Sequence, residues 1–152
     1  VKEGDTCPDF TLPSTEGEFR LREKLGKGYI ILYFYPKDNT PGCTAEACSF
    51  RDNMGILTRL GAQVYGVSTD SLESHRKFIQ KRGLNFPLLS DEKGEVARLF
   101  EAYNPLFRTA KRKTFIISPE GRIEKIIEGV SPEDHVRLSA EFLQSRPRAA
   151  SA

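Results

Sequence analysis

Tryptophan is absent from this 152-residue sequence, methionine occurs once, and cysteine only three times. Three cysteines are too few, and odd in number, for the disulfide framework of a small secreted fold. A reducing compartment is therefore expected, where a disulfide that forms is more often catalytic or redox-sensing than structural. No charge of one sign dominates: 23 Lys and Arg face 21 Asp and Glu, for a net charge of +2. Such a balance supplies no field that would draw nucleic acid or an anionic membrane, and the short KRK cluster of Lys111 to Lys113 does not change that. The longest apolar run, Tyr29 to Tyr35, falls far short of the roughly 20 residues a membrane helix needs. The opening VKEGDTCPDF also lacks the apolar stretch of a signal peptide. A soluble, cytoplasmic protein is expected, although a start at Val1 rather than methionine leaves open a removed leader or organellar transit segment. The glycines of EKLGKGY form neither a GxGxxG nor a P-loop pattern. His75 and His135 stand far apart, and C-x4-C without nearby histidine is not a zinc pattern, so neither metal nor cofactor is expected.

What is present is a hydrophobic fraction of 38% with 29% charged residues, enough to build one core. A single domain over residues 1–144 is expected, followed by a flexible tail, SRPRAASA, over 145–152. The run YIILYFY, bounded by Gly28 and Pro36, reads as a strand buried on both faces. After the loop PKDNTPG, Ala47, Phe50, Met54 and Leu57 recur at helical spacing. Strand and helix signals then alternate: strand over 63–67, helix over 71–81, a short strand over 86–89, a helical stretch over 95–100. This is the mark of an α/β domain with a substantially parallel sheet. Residues 114–117 and 123–127 flank SPEGR and read as a closing hairpin. A last helix starts at Ser131 and Pro132, with apolar positions that make no clean stripe.

The loop after YIILYFY lies at the carboxyl end of its strand, where open α/β sheets bind ligands. In T-P-G-C, Thr40 suits the N-cap, Pro41 the first helical position, and Gly42 a close backbone approach, so Cys43 falls in the first turn. Unpaired N–H groups and the positive end of the helix dipole there favour a thiolate over a thiol. Cys48, five residues on, has its Cα about 8.6 Å from that of Cys43 on an ideal helix. A disulfide reaches only about 7 Å, so a bond between them requires the first turns to unwind. Glu46, one turn after Cys43, could orient a pocket cation, but an acid in the first turn also simply suits the dipole, and that plainer role is preferred.

The segment YFYPKDNTPGCTAEACSFRD resembles the active-site segment of the peroxiredoxin Q, or bacterioferritin comigratory protein, group. The resemblance carries the Pro-x-x-x-Thr-x-x-Cys core on Pro36, Thr40 and Cys43 and places a second cysteine five residues later. It extends through GDTCPDFTLP, VYGVSTDS, FPLLSDEKGEVA and KRKTFIISPEGRI, nearly the whole chain. It implies a thioredoxin-like fold with a central mixed sheet flanked by helices, and an antioxidant peroxidase without metal, flavin or haem. It also implies that Cys43 attacks a peroxide to become a sulfenic acid, that Cys48 condenses with it, and that a thioredoxin-type partner reduces the resulting disulfide. Thr40 would hydrogen-bond the peroxide and the thiolate, Pro36 would shield the pocket, and Arg112 would hold the peroxide and stabilise the thiolate. Arg108, Lys111 and Lys113 are expected to form a solvated cationic edge, and Cys7 to be a free thiol outside the chemistry, with a disulfide to Cys7 as the alternative. An intramolecular resolving cysteine removes the need for a dimer without forbidding one, so a monomer is expected. Two other readings stand beside this one. A general thiol-disulfide oxidoreductase would more usually carry C-x-x-C, and a non-catalytic redox switch would consume about one equivalent of oxidant.

Overall fold

A computed structural model describes residues 1–146; the tail expected over 145–152 lies, beyond Arg146, outside the described residues. In chain order the elements are β1 Thr11–Ser14, β2 Gly17–Arg20, α1 Leu21–Lys24, β3 Tyr29–Phe34, α2 Pro41–Arg59, β4 Ala62–Ser68, α3 Leu72–Arg82 and β5 Leu88–Ser90. There follow α4 Glu95–Leu99, β6 Tyr103–Asn104, β7 Thr109–Ala110, β8 Lys113–Ile117, β9 Ile123–Ile127 and α5 Pro132–Gln144. Seven strands form one sheet in the order β2-β1-β5-β4-β3-β8-β9. The β5-β4-β3 centre is parallel, whereas β1, β2, β8 and β9 pair antiparallel, so the sheet is mixed.

The YIILYFY run sits in the middle of this sheet because it can face apolar surroundings on both sides. Ile30, Leu32 and Phe34 point to one side, against Phe10, Phe19, Phe100 and Phe115. Ile31, Tyr33 and Tyr35 point to the other, against Cys43, Ala47, Phe50 and Leu57 of α2, Phe78 of α3, and Val136 and Leu143 of α5. Tyr33 stacks on Phe50 with ring centroids 4.5 Å apart. Gly66 on β4 makes room for it, since a Cβ there would lie 2.9 Å from the Tyr33 ring. The helix α2 is thereby pressed onto the central strand, and its first turn is held above the carboxyl end of β3.

The predicted hairpin is β8-β9, and the last helix is capped as expected, with the Ser131 hydroxyl accepting from the Asp134 N–H. The strand expected over 86–89 is displaced to Leu88–Ser90: Pro87 has no N–H to offer a ladder, and pairing with β4 begins at Leu88. The β1-β2 hairpin, α1, and the β6-β7 pair were not anticipated; each element is two to four residues long. Among the described residues, no helix is long and apolar enough to cross a membrane.

Candidate active site

The β3 strand ends at Phe34, and the chain turns through Tyr35 to Thr40 before α2 begins at Pro41. Pro36 and Thr40 are half-buried on this loop. Thr40 occupies the N-cap position with extended backbone, but its side chain makes no capping bond. Its hydroxyl instead donates to the Lys37 carbonyl at 2.9 Å, closing the loop on itself, so the expected cap is corrected to a loop brace. Cys43 is the third residue of α2 and only 1% exposed, facing the sheet. Cys48 lies on the same unbroken helix, half-buried, and all three cysteines are free.

Arg112 reaches this site because of strand register. Antiparallel pairing of β3 with β8 sets Phe34 opposite Lys113, so the residue before β8 stands beside the loop that leaves β3. Its guanidinium bridges two groups on α2: Nη2 donates to Cys43 Sγ at 3.2 Å, and Nη1 to Glu46 Oε1 at 2.5 Å. Gly42 clears the path, since a Cβ there would sit 3.0 Å from Arg112 Nη2 and 3.5 Å from Pro132. Burial works against the Arg112 charge, yet Glu46 and Cys43 beside it hold its ionisation above the ordinary arginine value.

Glu46 corrects the reading from sequence. It is fully buried and bonded to Arg112 rather than resting on the helix dipole. Burial pushes its carboxyl up to about 8, with Arg112 pulling the other way. Behind it, on α5, His135 is also fully buried; its Nδ1 lies 2.9 Å from the Thr114 hydroxyl and 3.8 Å from Glu46 Oε2. Burial, and then the Arg112 charge, lower His135 to about 4. Sequence reasoning missed His135, although its position one turn into a helix that packs on α2 is a usable signal. Of the neighbouring cations, Arg108 and Lys111 are exposed as expected, but Lys113 is not solvated: its side chain is 11% exposed and its ammonium donates to the Glu101 carbonyl. Cys7 lies in the opposite core, where burial and then Asp9 push its thiol up to about 12, consistent with a free, unreactive sulfur.

A cysteine at a helix start, bridged by arginine to a buried glutamate, is an arrangement for stabilising negative charge on sulfur and on what it attacks. Residues 3–126 match the AhpC/TSA family. The chain is 42% identical over 152 aligned positions to peroxiredoxin Bcp of Bacillus subtilis, across 95% of this chain and 94% of that protein. The chain belongs to the AhpC/TSA family, in its peroxiredoxin Q group. Among solved structures, this peroxiredoxin resembles peroxidoxin BcpB of Mycobacterium tuberculosis with a TM-score of 0.90 and 36% identity, over 97% of this chain and 99% of that one. It also resembles the bacterioferritin comigratory protein of Xanthomonas campestris, described for its alkyl peroxide reduction activity, with a TM-score of 0.82 and 32% identity over 90% of each chain. The peroxiredoxin fold is thioredoxin-like, with the central mixed sheet flanked by helices that the sequence implied. The protein is a thiol-dependent peroxidase.

Proposed function

We propose that Cys43 is the peroxide-attacking cysteine and Cys48 the resolving one, with Arg112, Thr40 and Pro36 completing the site. The Cys43 thiolate attacks one peroxide oxygen, the O–O bond breaks, and the sulfur becomes a sulfenic acid while the other oxygen leaves as water or an alcohol after taking up a proton. Arg112 supports the reading most directly: its Nη2 already rests on Cys43 Sγ at 3.2 Å, aimed at the charge that moves from sulfur to the leaving oxygen. Glu46 holds the other fork of the guanidinium through Nη1, which fixes Nη2 on the sulfur. The Thr40 hydrogen is committed to the Lys37 carbonyl, so its oxygen is free to accept a hydrogen bond from a peroxide O–H. Pro36, half-buried beside the loop, offers no N–H and helps to keep bulk water from the sulfur.

In the second step the Cys48 thiol condenses with the sulfenic acid, releasing water and forming an intramolecular disulfide. Both cysteines lie on the continuous α2, so this step requires its amino-terminal turns to unwind. A thioredoxin-type dithiol then reduces the bond and restores both thiols. Hydrogen peroxide and alkyl hydroperoxides are the proposed substrates, and one chain holds every residue the cycle needs.

The test is peroxide consumption with thioredoxin and its reductase regenerating the enzyme. Wild type should turn over many equivalents and Cys43→Ser none. Cys48→Ser should react once and then accumulate sulfenic acid that over-oxidises, read by mass spectrometry. Normal turnover by Cys48→Ser with thioredoxin as sole reductant would remove Cys48 from its role. A wild type that stops after one equivalent would point to a redox switch.

A further inference from the structure

A second polar cluster lies on the side of the active-site loop away from Arg112. Asp38, between Pro36 and Thr40, is 5% exposed. Its Oδ1 accepts from the Tyr35 hydroxyl at 2.6 Å; its Oδ2 accepts from the Ser74 hydroxyl at 2.8 Å and lies 2.8 Å from His75 Nδ1. Its backbone N–H donates to Asp70 Oδ2 at 2.8 Å, an oxygen that also accepts from the Ser68 hydroxyl. His75, on α3 and fully buried, turns its other nitrogen, Nε2, to the Leu89 carbonyl of β5 at 2.8 Å.

The Leu89 backbone carbonyl only accepts, so Nε2 of His75 donates to it, while Nδ1 shares a hydrogen bond with Asp38 Oδ2 and has the Tyr35 hydroxyl 3.5 Å away. Both ring nitrogens of His75 are thus engaged, Nδ1 with the Asp38 carboxyl and Nε2 with the Leu89 carbonyl, so the side chain ties the loop to α3 and β5. Asp38, Asp70 and His75 bring ligand-type atoms within 4.8 Å of one another, but each is committed to these bonds, so the cluster reads as an anchor rather than a cation site. Asn39, between Asp38 and Thr40, turns the chain at φ 66°, a left-handed conformation that asparagine tolerates, so the loop bends directly beside the tie.

We propose that His75 is a positioning residue for the peroxidase reaction: through Asp38 it ties the Pro36–Thr40 loop to α3 and β5 and so fixes how a peroxide meets Cys43. The inference rests on Cys43 being the attacked cysteine. The same tie holds the chain just before α2, so loosening it should slow the first chemical step and ease the unwinding that the second requires. Those opposite signs separate positioning from a general loss of structure, which would lower both rates.

The experiment is stopped-flow oxidation of the reduced protein by hydrogen peroxide, with sulfenic acid formation at Cys43 and disulfide formation with Cys48 followed separately. His75→Leu should lower the first rate constant ten- to a hundredfold and leave the second unchanged or faster. The double variant Asp38→Asn with His75→Gln should recover the first rate to within a few-fold. In it the new asparagine amide can donate to the glutamine carbonyl, and the glutamine amide to Leu89, rebuilding the tie without charge. A folded His75→Leu protein that oxidises Cys43 within twofold of wild type overturns the proposal, as does a parallel fall in both rates that the double variant does not rescue. Should His75→Leu not fold, His75→Gln alone decides by the same two rate constants: slower oxidation of Cys43 with disulfide formation unchanged or faster is expected, and oxidation within twofold of wild type together with slower disulfide formation overturns the proposal. A wild type whose Cys43 is not oxidised rapidly would instead sink the assignment of Cys43, whatever His75 does.

Discussion

Arg112 makes two demands that only a planar, forked cation meets: one nitrogen on Cys43 Sγ and another on Glu46 Oε1. A lysine there offers one ammonium and must choose. Arg112→Lys should therefore lower the rate constant for Cys43 oxidation about a hundred- to a thousandfold, the loss typical of removing a donor aimed at developing negative charge, as measured by stopped-flow with hydrogen peroxide. The place of Cys43 in the first turn of a helix was legible in the sequence because Pro41 suits a helix start and Gly42 a close approach, although the cap expected of Thr40 does not form. Arg112 was not separable by composition from Arg108, Lys111 and Lys113; only strand register distinguishes it, by placing it opposite the end of β3. Glu46 was misjudged because the helix dipole already accounts for an acid near the start of a helix, and its partner lies 66 residues away. Asp38 and His75, 37 residues apart, escaped notice for the same reason.

At the level of elements, Phe50, fully buried and stacked on Tyr33, is the largest side chain that α2 buries against the sheet. Phe50→Ala should cost about 3–5 kcal/mol, the usual range for emptying a buried aromatic site, and urea denaturation would measure it. A loss below about 1 kcal/mol would mean that α2 is held by something else. The long elements were legible because their periodicity was: the last six residues of YIILYFY, Ile30 to Tyr35, are buried at 1% exposure or less, as a two-faced strand requires. The β1-β2 hairpin was not, since four-residue strands carry too few alternations and Pro13 interrupts the signal. The stripe of α5 was blurred for a different reason. Its buried members are His135, Val136, Ser139 and Leu143, a regular helical face in which two positions are polar and therefore invisible to a hydrophobic pattern.

Across the whole molecule, two buried groups give stability a pH dependence of opposite signs. Glu46 keeps its proton to about pH 8 when folded and to 4.5 when unfolded, so between those values the folded chain binds the extra proton and stability falls as pH rises. His135 loses its proton at about 4 when folded and at 6.5 when unfolded, so between those values the unfolded chain binds the extra proton and stability rises with pH. The two slopes oppose each other in the shared range, and the Glu46 decline should emerge above about 6.5. Urea midpoints measured from pH 4 to 9 should show that decline, Glu46→Gln should flatten it, and His135→Gln should let it begin near 4.5.

One feature of α2 reaches beyond rate and stability: the helix runs unbroken through both cysteines, and its middle is pinned where Arg51 donates to the Arg82 carbonyl at the end of α3. A Cys43–Cys48 bond would then exist only at the expense of helical turns, so refolding favours its breakage. Each 1.4 kcal/mol of structure given up on oxidation moves the two-electron reduction potential about 30 mV in the oxidising direction. The dithiol form is in this sense wound into the fold, and a mild cellular dithiol would suffice to return the enzyme to it.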